Sequence, residues 1–346
     1  MNHLYKRDLT KGSIAGSMLR FALPLMLGNL LQQCYNIADT LIVGQVLGAE
    51  ALAAVGSSYA LIVFITSIFI GLCMGCSAVL SMQYGAKDIR QMKQSIFSSL
   101  LIVGGTTLLL NILSLAFLSP IIKILQTPPE LEAMTYRYLF LIFLGMIPMA
   151  VYNFYAFLLR SVGNSSSPLY FLFISVALNI VLDVLFMVGL KMGVEGAALA
   201  TVISQIVSAA GIYLYTWKQF PELRLSPDDR QIDFSSIRKI ASFSYLTCMQ
   251  QSVMNLGILM VQGLVNSFGT TVMAAFAAAV KIDSFAYMPV QDFGNAFSTF
   301  IAQNFGARQQ DRIRQGIRCA WLTTTLFAGI VSVCLLYTSP SPRDRG

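Results

Sequence analysis

The feature that most constrains this chain is the recurrence of apolar runs long enough to cross a lipid bilayer, each of about 20 residues or more. Only 11% of the residues are charged, whereas soluble domains carry about a quarter. No stretch of about 100 residues is left for a separate soluble domain. Soluble enzyme folds are therefore excluded, and we predict an all-α polytopic membrane protein. Nine spans are predicted, near residues 20–43, 55–80, 96–118, 134–158, 169–190, 196–217, 241–266, 271–302 and 317–336.

Basic residues mark one side of the predicted membrane. With the N-terminus inside, seventeen Lys and Arg fall in the inner segments, and three (Lys123, Arg137 and Lys191) fall in the outer loops. This bias predicts a cytoplasmic N-terminus and a multi-pass protein of the cytoplasmic membrane. The net charge of +7 is explained by these loops, so we expect the lipid bilayer, and no nucleic acid, as a partner.

Residue types that carry catalysis are scarce. His3 is the only histidine, which excludes His-based metal sites, Ser-His triads and His proton relays. Cys73 and Cys76 have the spacing of a redox or metal pair, but they lie in an apolar run without a second pair, which favours helix packing. We therefore expect no enzymatic activity and no cofactor.

An internal repeat divides the chain. Residues 83–87 (Gln-Tyr-Gly-Ala-Lys) match residues 304–308 (Asn-Phe-Gly-Ala-Arg) at a displacement of 221, and Gly48 matches Gly269 at the same displacement. Duplicated lobes are common in transporters. The sequence thus predicts two pseudo-symmetric six-helix lobes, the second incomplete, with about nine of twelve helices present.

The domain bounds follow from the repeat. Residues 1–19 are predicted to form a cytoplasmic N-terminus, 20–217 the first lobe, 218–240 a cytoplasmic linker and 241–336 a partial second lobe of three helices. The segment 337–346 is polar and unlike its counterpart after Ser119. We expect it to be a non-native tail, with a genuine disordered tail as the alternative.

Acidic residues inside spans are functional candidates, because burying an ionisable group in a bilayer is costly. Asn179 and Asp183 share a helix face at i and i+4. If they converge with Asp39, the oxygen-lined pocket would share protons or bind a hard cation such as Na⁺; the alternative is structural pairing. For Lys281, Asp283 and Asp292, cavity lining and structural pairing stay equally open.

Pro24 lies inside the first span, fifteen residues before Asp39. Proline removes an intrahelical hydrogen bond and favours a kink. A bend that responds to the charge on Asp39 and a static kink are both compatible with this position.

Four segments resemble the MATE (multidrug and toxic compound extrusion) family of cation-coupled efflux transporters, and the likeness covers residues 10 to about 336. These segments are 38–48 around Asp39, 83–87, 159–168 with Leu-Arg-Ser-Val-Gly-Asn, and 193–201 with Gly-Val-Glu-Gly-Ala-Ala-Leu-Ala-Thr. The resemblance implies two six-helix lobes around a central cavity. It also implies export of cationic or amphiphilic organic compounds, including drugs, in exchange for H⁺ or Na⁺; we expect a monomer.

The resemblance also implies site residues. Asp39, Asn179, Asp183 and Thr201 match the cation-coupling positions of the family's prokaryotic members, and they are the candidate Na⁺ ligands. Pro24 matches the family's helix-1 proline, while Tyr138 and Asn153 match helix-4 residues near the site. Two departures are Asn164, where the family usually has an acid, and Gly257, which stands opposite Asp39 in the second lobe.

Two other functions remain open at this point. A lipid-linked glycan flippase of the same superfamily would need a strongly basic cavity for pyrophosphate, and Lys281 is the only basic residue clearly within a span. A non-transporting fragment or scaffold would follow if the second lobe lacks half of its helices. Multidrug efflux is the function that the residues favour.

Overall fold

The fold is given by a computed structural model of the whole chain. It describes residues 8–124, 127–231, 233–266 and 270–338. Side chains are described throughout these ranges except at positions 57, 60, 124, 256, 258, 259, 262, 263, 266, 270–286 and 334–338. The last helix continues to Thr338, and residues 339–346 of the predicted tail lie outside the described part.

Helices make up the secondary structure of the described residues, and each predicted span coincides with helical chain. Six helices are long and apolar enough to cross a membrane, or seven if one bent pair counts as a single span, within the part of the chain searched. The all-α, polytopic prediction is thereby confirmed. The helices are α1 Ile14–Leu47, α2 Ala49–Gly85, α3 Ile89–Ala116, α4 Leu118–Ile124, α5 Pro129–Leu144, α6 Met146–Ser161, α7 Ser166–Asp183, α8 Val194–Gln219, α9 Phe234–Asn266, α10 Thr270–Gly306 and α11 Gln310–Thr338.

The fourth predicted span, 134–158, is not one continuous helix. It consists of α5 and α6, which meet at Gly145 at an angle of 43°. Pro148 stands in the first turn of α6, where its missing N–H cannot continue the hydrogen bonding of α5. A Cβ at Gly145 would lie only 2.7 Å from Cγ2 of Val202 in α8. The break therefore lets α8 approach the bend closely.

The two lobes meet where α2 crosses α10. A Cβ added at Gly85 would overlap the backbone carbonyl of Gln303, and a Cβ added at Gly306 would overlap that of Met82. The two contacts are equivalent under the repeat, because Gly306 follows Gly85 by 221 residues and Gln303 follows Met82 by 221 residues. The crossing is therefore a reciprocal backbone contact about an internal two-fold axis, which the absence of two side chains permits.

The N-terminal segment, residues 8–13, lies across the same end of the molecule. The Leu9 backbone N–H donates to Gln303 Oε1 at 3.2 Å, and Asn304 Nδ2 donates to the Leu9 carbonyl at 3.2 Å. Arg312 donates to the backbone carbonyls of Leu9, Lys11 and Gly12. Helices α10 and α11 of the second lobe thus bind the segment that precedes α1 of the first lobe. We call this end, with its turns at 86–88 and 307–309, the basic end.

The connection between the lobes is also fixed at the basic end. Lys93 of α3 forms an ion pair with Asp229 at 3.5 Å. The Ser226 hydroxyl and backbone N–H, which both donate to Asp229, hold the pKa of that carboxyl below its usual value. The connection therefore keeps its ion pair with the first lobe at neutral pH. The exact bounds of the linker and of the two lobes stay predictions.

The glycine crossing predicts a stability difference. Gly85→Ala and Gly306→Ala should each lower the free energy of unfolding by about 1–3 kcal/mol, because a methyl group there forces two backbones apart. Gly104→Ala is the matched control, since its Cβ would meet nothing within 4 Å, and helix propensity favours Ala there. Thermal unfolding of the purified proteins in detergent measures both effects. Equal midpoints for Gly306→Ala and the control would contradict the close crossing.

Candidate functional site

Two intramembrane carboxyl groups meet between α1 and α7. Asp39 lies in α1, Asp183 is the last residue of α7, and their carboxyl groups are close enough to interact directly. Asp183 is fully buried. The Oδ1 atom of each carboxyl is buried and has no hydrogen-bond partner among the described residues. Each of the two carboxyl groups therefore keeps one oxygen atom available as an acceptor.

Asn179 joins this pair to α8. The surrounding donors and acceptors fix its amide so that Nδ2 donates to Asp183 Oδ2 at 2.8 Å and Oδ1 accepts from the Thr201 N–H at 3.1 Å. Asp183 is followed by a π-helical turn, Val184–Gly189. Such turns interrupt regular helices and are frequent at functional sites. The i, i+4 spacing read from the sequence thus places the amide and the carboxyl together.

Two tyrosines complete the cluster. The Tyr35 hydroxyl lies 3.4 Å from Thr201 Oγ1. Tyr138 of α5 is buried, and both carboxyl groups act on it electrostatically. Tyr35 was not singled out from the sequence, although it stands four residues before Asp39 and so shares its helix face. We call Tyr35, Asp39, Tyr138, Asn179, Asp183 and Thr201 the carboxyl cluster.

Two other predicted residues lie outside this cluster. Asn153 Nδ2 donates to the Met149 carbonyl at 2.9 Å, within its own helix. Pro24 lies inside α1, which is helical from Ile14 to Leu47. At 1.5 Å per residue, it stands roughly 22 Å along the helix from Asp39. A response of this proline to the charge on Asp39 stays a prediction.

Asp292 forms a separate polar contact between α10 and α1. Asn29 Nδ2 donates to Asp292 Oδ1 at 2.7 Å. The aspartate is 3% exposed, and its Oδ2 has no hydrogen-bond partner among the described residues. Asp292 is therefore a buried acid shared between the lobes. The cavity that it lines has a volume of about 150 Å³, with further walls from Met26, Leu27, Leu30, Gln33, Met288 and Pro289.

The remaining two predicted residues cannot be placed at a site. Lys281 and Asp283 belong to α10, and their side chains lie outside the described part of the structure.

The chemistry of the carboxyl cluster is that of an oxygen-lined pocket. It offers two carboxyl groups, an amide and hydroxyl groups, which are ligands suited to hard cations or acceptors for protons. In a low-dielectric site, two adjacent carboxylates cannot both stay ionised without a neutralising proton or cation. The geometry therefore suits reversible binding of a small monovalent cation.

Comparison with known proteins gives the family. The model of the family described as MatE matches residues 24–185 and 247–341. The chain belongs to the MatE family. The match includes α7 and the part of α1 from residue 24 onwards, so both Asp39 and Asp183 lie within the MatE region.

Relatives of this MatE chain are named for drug resistance. It is 29% identical over 308 residues to "Probable multidrug resistance protein YpnP" of Bacillus subtilis strain 168, covering 88% of this chain and 68% of the relative. It is 30% identical over 342 residues to "Probable multidrug resistance protein YoeA" of the same strain, covering 96% and 73%. These matches make the chain a membrane protein of a transporter family.

The MatE fold itself is matched by solved structures. An outward-facing multidrug resistance MATE family transporter of the MOP superfamily superposes with a TM-score of 0.88 at 22% identity. That superposition covers 96% of this chain and 74% of the other. The likeness confirms the predicted fold of two pseudo-symmetric lobes with an incomplete second lobe.

The carboxyl pair predicts an unusual effect on stability. Asp183→Asn should raise the unfolding midpoint at neutral pH in sodium-free buffer, by about 2–4 °C for each kcal/mol of relief. The amide removes one of two adjacent acids and can donate to Asp39, whereas the wild-type pair has to take up a proton when it folds at neutral pH without Na⁺. The gain should shrink as the pH falls, because the wild-type pair then becomes fully protonated. An equal or lower midpoint at neutral pH would count against the pair.

Proposed function

We propose that this MatE protein is a secondary active antiporter that exports cationic or amphiphilic organic compounds in exchange for H⁺ or Na⁺. The carrying observation is the proximity of the partly buried Asp39 and the fully buried Asp183, two acids on different helices that each have a buried, unpartnered oxygen. The names of the relatives support multidrug compounds as the substrate class.

The carboxyl pair gives the antiporter its coupling step. Asp39 and Asp183 come from α1 and α7, so a proton or Na⁺ that enters between them removes repulsion between those helices. Loss of the cation restores the repulsion and favours a different packing. Asn179 and Thr201 extend the oxygen set to α8. Cation loading therefore biases the position of α1 relative to the rest of the first lobe.

Helix α1 also carries this change towards the substrate cavity. Asn29, ten residues before Asp39 on the same helix, binds Asp292 of the second lobe at 2.7 Å. The adjoining cavity, with a volume of about 150 Å³, is smaller than a complete drug site and has room for one end of an organic compound. Its apolar walls and the Asp292 carboxyl suit an organic cation with an apolar body. A displacement of α1 would therefore change the binding sites of both the coupling cation and the substrate.

The orientation proposed from the sequence fits this scheme. Basic turns such as Lys87 and Arg308 gather at the basic end, which we assign to the cytoplasm under the positive-inside rule. The protein then lies in the cytoplasmic membrane with its N-terminus inside, and we expect it to act as a monomer.

Efflux measurements test the function. Asp39→Asn and Asp183→Asn should each abolish ethidium efflux from intact cells. With one acid left, loss of the coupling cation no longer restores repulsion between two carboxylates, so it no longer changes the packing of α1 against α7. Asp228→Asn is the control: Asp228 lies exposed in the connection between the lobes. Quantification of each variant in isolated membranes separates activity from insertion. Wild-type efflux from both carboxyl variants would contradict the proposal.

Reconstitution identifies the coupling cation. In proteoliposomes, an imposed proton gradient or an imposed Na⁺ gradient should drive ethidium movement against the cation flow. Whichever gradient drives transport in the wild type should fail in Asp183→Asn. Transport that is independent of both gradients would refute ion coupling while leaving the substrate class intact.

A further inference from the structure

The N-terminal segment, residues 8–13, packs against both lobes. Leu9 is 1% exposed, and it lies in a core cluster with Phe21 of α1 and Phe300 of α10. The segment continues directly into α1, whose N-cap is Ser13. Burial of an apolar side chain between two helices stabilises their contact. Leu9 therefore strengthens the contact between the first helix of the first lobe and a helix of the second lobe.

The polar contacts of the segment come from α10 and α11. Gln303 and Asn304 are both 0% exposed, so their hydrogen bonds to the main chain of Leu9 are shielded from water. Gln303 also reaches the first lobe, because its Nε2 donates to the Ser161 carbonyl at 2.7 Å. Arg312 adds a charged donor to three main-chain carbonyls of the segment, and charged hydrogen bonds are the strong ones. The start of the first lobe is thus tied to the second lobe.

The connection between the lobes makes the corresponding contact on the other lobe. Gln83 and Asn304 differ by the repeat displacement of 221. Asn304 binds the chain that precedes α1, through the Leu9 carbonyl. Gln83 Nε2 donates to Ser95 Oγ at 2.7 Å, which in turn donates at 3.2 Å to Ser236 Oγ in the first turn of α9. Each lobe thus binds the start of the other lobe.

These contacts lie at the basic end, which is closed in this structure, because α2 and α10 touch there through Gly85 and Gly306. An exporter has to admit its substrate from the cytoplasmic side, to which we assigned this end. Separation of the lobes there would carry Leu9 away from Phe300 and would break the main-chain hydrogen bonds to α10 and α11. The N-terminal segment therefore opposes opening of the basic end.

We propose that residues 8–13 hold the basic end closed, and that their release from α10 and α11 is a step in its opening. The free energy of opening then includes the loss of these hydrogen bonds and of the Leu9 contact, so that weakening either raises the open fraction. The proposal rests on the proposed function only in requiring that the basic end opens. It involves neither the carboxyl cluster nor the substrate.

A native cysteine reports the opening. Cys76 of α2 is 1% exposed, and its Sγ lies 4.0 Å from Ser244 Oγ of α9, so it is buried where the two lobes meet. It stands nine residues before Gly85, roughly 14 Å along the helix from the crossing. The full chain, with Cys76 as its only cysteine, is purified in phosphatidylcholine nanodiscs. Its rate of labelling by N-ethylmaleimide, measured by mass spectrometry, then follows the open fraction.

Two variants weaken the segment in different ways. Arg312→Gln removes the charged donor, and Leu9→Ser removes the apolar contact. Each should raise the labelling rate of Cys76 by about tenfold or more, the factor expected for the loss of a charged hydrogen bond or of a buried leucine. Arg314→Gln is the matched control, because Arg314 is an exposed residue of the same helix. Its labelling rate should equal that of the parent chain.

A second reporter separates opening from general loosening of the fold. Ala198 is 0% exposed, in a core cluster whose members all belong to the first lobe. A chain with Ala198→Cys as its only cysteine therefore reports unfolding of that lobe. Its labelling rate should be the same with and without Arg312→Gln.

Two results would overturn the proposal. One is an unchanged labelling rate of Cys76 in either segment variant; the other is an equal increase at Cys76 and at position 198. Should Arg312→Gln fail to fold, Arg312→Lys decides, because it keeps the charge but cannot donate to all three carbonyls, with a several-fold increase expected and an unchanged rate as the refuting result. Labelling needs no gradient and no drug, so its outcome is independent of whether the chain exports drugs.

Discussion

The reciprocal backbone contact between α2 and α10 is the constraint on which the rest of the molecule depends. With Gly85 and Gly306 at the crossing, the two helices approach more closely than side chains allow. Helix α1 packs against α10 in the same arrangement, and Asn29 of α1 donates to Asp292 of α10. A single steric requirement thereby fixes the spacing of both lobes.

The charged groups of the membrane-spanning part lie in two separate places within this arrangement. The Asp39–Asp183 pair lies within the first lobe, whereas Asp292 lies where the lobes face each other. An acid pair responds to small cations, and Asp292 adds a negative group next to the second lobe. Because α1 contacts both the acid pair and the interlobe space, changes in one charge environment alter the packing around the other.

Much of this arrangement follows from the sequence, since the relevant patterns are local. Hydropathy predicts the spans, the displacement of 221 predicts the lobes, and i, i+4 spacing predicts that Asn179 and Asp183 act together. The family resemblance added Thr201 to that group. These inferences need only helix geometry and repetition.

Other features depend on contacts between distant helices, which local patterns do not contain. The break at Gly145 reflects the approach of Val202 from α8. Ser81 is one of many serines in apolar helices, and only the fold shows that its hydroxyl is buried without a hydrogen-bond partner among the described residues. Tyr35 could have been found, because it lies one turn from Asp39 on the same face.

The N-terminal segment is recognised through its main chain. Arg312 and Asn304 bind carbonyl oxygens, and Gln303 accepts from an N–H, so these contacts are indifferent to most side chains of the segment. Only Gly12, with φ of +76°, has a conformation that favours one residue type. The exposed positions of the segment consequently tolerate substitution, whereas Leu9, which is 1% exposed in a core cluster with Phe21 and Phe300, has to stay apolar. The insertion of a single residue would shift every acceptor out of register.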